Sequence, residues 1–393
     1  VRLKSLLVPL ALTVAAAGLP ACGSSDVPRA EPSASADAPS PGPDAASAAR
    51  VGLGGPGSSA SPKPSTGAVP KAGNPNGRAG VPAEARAVDT SKPTRRIGTG
   101  TAASCTSEAV VKAVAAGGII TFDCGPDPVT IAMKATAKVR NANGPKVVLD
   151  GGGKVTLSGQ GRRRILYMNT CDSAQGWTTS HCQNQDHPQL TVQNLTFADG
   201  NSTGDRAEGG GGGAIFVRGG RFKVVNSRFV RNRCDRTGPD LGGAAVRVLS
   251  QHENKPVYVV QSTFDGGSCS NGGALSSIGV SWVVLNSVFT RNQALGNGAN
   301  PARAGTPGGG SGGAIYCDGD EFTVRIAGTI IEGNRAKEGG GAIFFVSNNR
   351  TGTLKIEGST LRRNPSDGFE TPNYPGIFFL GARPPTVTSS RLT

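Results

Sequence analysis

The 393-residue sequence has little of what most enzymes and membrane proteins rely on. It holds two Met, two Trp, four Tyr and three His, and aromatic residues make up 5% of the chain. The histidines His181, His187 and His252 sit in polar loop-like contexts (Ser-His-Cys, Asp-His-Pro, Gln-His-Glu), and no His-Glu-x-x-His motif occurs. A helical zinc-protease site is thereby excluded. No Gly-Lys-Ser/Thr follows a glycine run, and no dinucleotide fingerprint lies between a strand and a helix, so phosphate-loop and Rossmann chemistry are excluded too. Beyond the N-terminus, no apolar run is long enough to span a membrane.

Glycine is abundant: 59 Gly accompany 27 Pro. Without a strict three-residue period this is not collagen, and it fits many tight turns between short strands. The chain divides by composition into three parts. Arg2 and Lys4 precede an apolar run from Leu6 to Leu19, which reads as an export signal over residues 1–22. The run ends in Leu19-Pro20-Ala21-Cys22, which resembles a bacterial lipoprotein cleavage box with Cys22 as lipid carrier. Pro20 departs from that pattern, and ordinary cleavage after Ala21 is the alternative. Residues 23–98 are rich in Pro, Ala, Ser and Gly and predict a disordered tether. Residues 99–393 are then the folded domain, large enough for one core or one solenoid.

Formal net charge is +14, from 41 Lys and Arg against 27 Asp and Glu. The excess suits either a soluble basic surface or an anionic partner such as an acidic polysaccharide or envelope polymer. Aromatics fall at core-like strand positions rather than among basic residues, which argues against nucleic acid. Eight cysteines in an exported chain read as disulfides rather than metal ligands. Cys105–Cys124 and Cys171–Cys182 are the local pairs. Cys234 and Cys269 each follow the phenylalanine of a repeat (Phe229, Phe264) by the same interval, so stacking would bring them together. Cys317 is left over.

The dominant feature is a recurring pair of signatures, Gly-Gly-Ala-apolar followed by a strand closing on Phe-x-x-Asn. One copy runs from Gly212-Gly213-Ala214-Ile215 to Phe229-Val230-Arg231-Asn232, another from Gly272-Gly273-Ala274-Leu275 to Phe289-Thr290-Arg291-Asn292. The strand anchors align as Leu190–Phe197, Phe222–Phe229, Val257–Phe264, Trp282–Phe289, Val324–Ile331 and Leu354–Leu361, and the Gly-Gly-Ala alanines as 214, 244, 274, 314 and 342. Unequal spacing with matching strands places the inserted residues in loops. Units of this size predict an all-β fold, a right-handed parallel β-helix, with a short capping helix near Ser107–Val114 whose N-cap is Ser104 or Thr106. The columns Asn194/Asn226/Gln261/Asn286 and Asn232/Asn292/Asn334/Asn364 predict amide ladders at the bends. The pattern leaves open which face of Ala214–Val217 points inward, and this alignment sets Arg218 and Arg247 on opposite faces.

Gly-Gly-Ala-Ile with Phe-x-x-Asn resembles the repeats of the chlamydial polymorphic outer membrane proteins and, more broadly, the pectate-lyase-like right-handed β-helix superfamily. The resemblance implies the fold for roughly residues 140–380. Its members range from adhesins to polysaccharide lyases and hydrolases, so it implies function only coarsely. The Gly-His-Gly and Asp-Asp signatures of the hydrolases are missing.

Asp318, Asp320 and Glu321 form the tightest acidic cluster. They are the candidates for catalysis, with Asp318 and Asp320 also candidates for Ca²⁺, the cofactor that a lyase would use. Asp205, Glu208, Asp235 and Asp240 lie in loops beside Arg206, Arg233 and Arg236. For anion binding the candidates are Arg228, Arg231, Arg291, Arg236 and Arg247, with Arg231, Arg291 and Arg363 in one repeat column. The leading expectation is a monomeric, extracytoplasmic binding or adhesion module for glycans or envelope polymers, touching the membrane only through its lipid. The alternatives are a lyase or hydrolase on an acidic polysaccharide, or a structural envelope protein. Function is expected where the repeat is broken, in the loops 200–211, 233–241, 251–256 and 293–311.

Overall fold

The computed structural model of the chain describes residues 71–205 and 210–393. The signal, Cys22, the tether up to residue 70, and Arg206 and Glu208 lie outside the described residues. One coil shows how the sequence builds the rest. Gly212-Gly213-Ala214 turns the chain into the strand Ile215–Arg218, and Gly219-Gly220 turns it again into Arg221–Val225. The chain bends at Asn226-Ser227, continues as Arg228–Val230, and turns at Arg231-Asn232 into a loop that leads to the next coil. Successive coils pair in parallel, giving a 17-stranded sheet bent at the asparagines, an 8-stranded sheet and a 3-stranded one among the described residues. This is the expected all-β parallel β-helix.

The interior is a set of columns. Phe197, Phe229, Phe264 and Phe289 stack face to face at 5.0, 4.7 and 4.7 Å, the separation of neighbouring parallel strands. Ile331 and Leu361 continue the column in register. At the bend, Asn194, Gln261, Asn226 and Asn286 all take positive φ, a backbone region that asparagine tolerates. Asn226 Nδ2 donates to Asn194 Oδ1 at 2.7 Å, and the second column links Asn292 to Asn334 and Asn334 to Asn364 at 2.8 and 2.9 Å. Beside the first column runs a hydroxyl ladder that the sequence reading did not single out. The oxygens of Ser262, Ser287, Thr329, Ser359 and Ser390 each accept the backbone N–H of the residue one coil back, at 3.0–3.2 Å. The paired glycines act differently from one another: Gly272 takes φ +53, while a Cβ on Gly273 would meet Gly313 O at 2.3 Å.

Two expectations are corrected. The second Gly-Gly-Ala copy is offset by one residue. Ala245, not Ala244, pairs with the column of Ala214 and Ala274, and Val246 lies opposite Ile215. Gly243 carries the positive φ that Gly212 and Gly272 carry, and Gly242 bridges to Asn271, the residue before Gly272. A one-residue shift swaps faces. Arg247 therefore shares a column with Phe216, and Arg218 and Arg247 lie on the same, outer face. Ile215 and Val217 point into the core.

Residues 71–98 were expected in the tether, but they pack along the outer face of the long sheet as a strap. Asn286 holds Ala79 through both its backbone N–H and its carbonyl, each at 2.9 Å. Ala85 is buried against Val225, Val260, Leu285 and Ala327. Gln193 exchanges two hydrogen bonds with Val88, and Arg95–Ile97 pairs with the strand Gly118–Phe122. Low aromatic content hid this segment, because small residues suffice to cover an already complete apolar strip. The helix α1 (Ser107–Ala116) is capped by Thr106 Oγ1, stops at Gly117, and buries Val110 and Val114 in the main core. Cys105–Cys124, Cys171–Cys182 and Cys234–Cys269 form the three expected disulfides, and Cys317 is free and buried.

Candidate functional site

Loops that break the repeat converge on the outer face of the 8-stranded sheet. There the column Tyr167, Phe216, Arg247, Ser276, Tyr316, Phe344 runs in register and is buried although it faces away from the core. Two buried arginines secure the loops above it. Arg164 lies over the rings of Tyr167 and Phe216, at 5.7 and 5.2 Å, pairs with Asp205 at 2.6 Å, and donates to the Gly211 and Gly212 carbonyls. Arg247 donates to Ser276 Oγ and, at 2.6 Å, to the Asp240 carbonyl. Burial lowers the pKa of both guanidinium groups. Arg247 thus fixes the 233–241 loop.

At the edge of this column the structure gathers a polar cluster. Asn300 Nδ2, from the 293–311 loop, lies 2.9 Å from Asp240 Oδ1, 2.9 Å from Tyr316 Oη and 3.1 Å from Asp318 Oδ2. Tyr316 donates its hydroxyl to Asp318 Oδ2 at 2.9 Å. Its phenol pKa stands well above the ordinary value because of burial and then the Asp318 charge, so it remains a donor. Asp318 Oδ1 accepts from the Gly319 N–H at 2.7 Å and from Asn348 Nδ2 at 3.3 Å. Asp240 and Asn348 are exposed, and Asp318 and Asn300 half-buried. The neighbours of Asp318 in register are Ile278 and Val346, both half-buried on the same outer face. The arrangement offers water-facing acceptors and amides beside apolar surface.

The other candidates disperse. Asp320 and Glu321 are exposed in the turn after Asp318 and do not join its network; Asp320 contributes its carbonyl to Ser347. No group of three or more His, Cys, Asp or Glu that could hold a metal ion occurs among the described residues. The arginine column is a set of ion pairs between coils. Arg231 meets Asp199 through two bonds at 2.8 and 2.9 Å, Arg291 meets Asp265, and Arg362 and Arg363 meet Glu332. Arg228 donates to the Lys71 carbonyl on the strap at 2.8 Å, and Arg236 is exposed in its loop. His252 Nδ1 lies against the Asn184 carbonyl at 2.7 Å, His181 is exposed and His187 is half-buried. Sequence reading named Asp240 and Asp318 separately but not Asn300, Tyr316 or Asn348, which carry no signal without the register that joins them.

No helix among the described residues is long and apolar enough to cross a membrane. Neither the curated proteins nor the solved structures contain a significant match to the chain. The model of the Chlamydia polymorphic membrane protein repeat matches residues 328–346, the stretch that holds the Ile331–Asn334 bend and Gly340-Gly341-Ala342-Ile343. The chain therefore carries a repeat of the polymorphic-membrane-protein type on a parallel β-helix, in keeping with an extracytoplasmic, surface-type protein.

Proposed function

We propose that the protein is a cell-surface binding module that takes up carbohydrate at the cluster of Asp240, Asn300, Asp318 and Asn348. The observation that carries this reading is the convergence of two carboxylates and two side-chain amides, from three separate coils, beside Ile278 and Val346. A sugar hydroxyl both donates and accepts, and carboxylate and amide groups fixed by second contacts satisfy it without further ordering. The apolar neighbours offer a surface to the C–H face of a sugar ring. Export and lipid attachment at Cys22 complete the proposal and would hold the module at the cell surface.

A screen of neutral and acidic oligosaccharides tests it. Binding that is lost in Asp318→Asn or Asp240→Asn, with unchanged melting, supports the site; binding indifferent to both substitutions removes it. A second reading, hydrolysis or elimination on a polysaccharide, draws on one observation: Asp240 and Asp318 both reach the same amide nitrogen, and paired carboxylates are what glycoside hydrolysis needs. New reducing ends or unsaturated products from a bound polymer would select that reading.

A further inference from the structure

A second, separate region is also built for a ligand. Between the strap and the outer face of the long sheet lies a cleft of about 630 Å³. Its floor is a register column, Thr191, Lys223 and Tyr258. One wall is the strap from Ala83 to Asp89; the other carries Lys146, Arg221, Lys255 and Pro256. Lys146 and Arg221 stand two coils apart, with Gln189 in register between them.

The charges in the cleft are unequally matched. Arg221 meets Asp186, and Lys255 meets Glu253 at 2.7 Å. Lys223 gives two of its three donors to strap carbonyls, at 3.0 Å to Glu84 and 2.6 Å to Arg86, and keeps the third. Glu84 accepts from Tyr258 Oη at 3.1 Å. Lys146 is exposed at the rim and has no hydrogen-bond or ion-pair partner among the described residues. Burial first, and the Lys146 charge second, lower the Lys223 pKa. Glu84 and Asp89 set two carboxylates on the strap wall against the basic side chains of Arg86, Lys146, Arg221, Lys223 and Lys255, and Lys146 is in no ion pair among the described residues. An oxyanion between Lys146 and Lys223 would relieve their repulsion, and a concave wall focuses the field. Tyr258 and Pro256 give the same cleft an apolar side suited to a sugar ring.

We infer that this cleft binds an acidic polysaccharide segment through its carboxylate or sulfate groups, with Lys146 and Lys223 on the oxyanion. The inference is independent of the Asp318 cluster, since the two regions lie on different sheets.

Titration calorimetry on the full chain tests it, with oligogalacturonate, sulfated dextran oligosaccharide and neutral dextran oligosaccharide as probes. The two acidic probes distinguish carboxylate from sulfate, and binding of either supports the cleft. Lys146→Glu is expected to weaken acidic-probe binding by about tenfold or more, whereas Arg335→Glu, the same charge change on the short sheet, shifts it less than about twofold. Asp318→Asn is expected to leave acidic-probe binding unchanged. Equal losses in Lys146→Glu and Arg335→Glu would overturn the inference, as would equal affinity for the neutral probe or no affinity for either acidic one. Loss on Asp318→Asn alone would move acidic binding to the other cluster and leave the carbohydrate reading standing. Because Lys146 is exposed, Lys146→Glu is expected to melt as the parent does; Lys146→Ala serves as a second, milder variant, with a smaller loss in the same direction.

Discussion

Asp240 and Asp318 share one hydrogen-bond donor: both carboxylates lie within 3.1 Å of the side-chain nitrogen of Asn300. A loop residue and a strand residue from different coils are thereby fixed by a third residue from a long insertion. Asn300→Ala removes the donor and leaves the two charges facing each other. The expected cost is about 1–2 kcal/mol. Denaturant unfolding of the parent and the variant measures it, and an unchanged stability would show that the shared donor does not hold the two loops together.

Phe264 lies in the middle of the aromatic column, fully buried and stacked on both sides. Phe264→Ala is expected to lower stability by about 3–5 kcal/mol, and Phe264→Leu by clearly less because most of the volume is kept. Equilibrium denaturation checks the order.

The strap depends on Asn286, which satisfies both backbone groups of Ala79. In Asn286→Gly, which removes the amide and keeps the positive φ accessible, hydrogen exchange is expected to rise by about tenfold or more over residues 73–88, a loss of roughly 1–2 kcal/mol confined to the strap. Protection of the phenylalanine column should stay unchanged. A uniform rise across the chain would mean that the strap is not a separate unit of stability.

Cys317 is inward-facing, and burial pushes its thiol pKa up to about 12. The native state then keeps a proton that the unfolded chain releases, so stability contributed by this group is present below the unfolded pKa and falls as pH rises from about 9 toward 12. Tyr316, also raised, acts in the same direction. Cys317→Ala should flatten part of this alkaline loss in pH-dependent unfolding. Native protein should resist alkylation at pH 8, and fast native labelling would contradict the burial.

The Phe-x-x-Asn anchors could be aligned from sequence alone because a strand's core residue and its bend recur at fixed offsets, and every anchor pair named there is in register. The Gly-Gly-Ala alignment failed at one place, since Gly242-Gly243-Ala244-Ala245 offers two equivalent readings and only the neighbouring strand chooses between them. The arginine column looked free for a polymer because its acidic partners, Asp199, Asp265 and Glu332, come from other coils or other positions of the unit. Asp318 was visible as an acidic residue. Its partners were not, because loops of unlike length bring Asp240 and Asn300 to it. Two of the broken-repeat loops, 233–241 and 293–311, do meet at that cluster, and Lys255 of a third lines the basic cleft.

Carbohydrate uptake at the Asp240–Asn300–Asp318–Asn348 cluster is read out by an NMR or calorimetric titration of a bound oligosaccharide against the parent and Asp318→Asn. Saturable binding to the parent is expected, with a loss of about tenfold or more in the variant and an unchanged melting curve. Full affinity in a folded Asp318→Asn protein would contradict it.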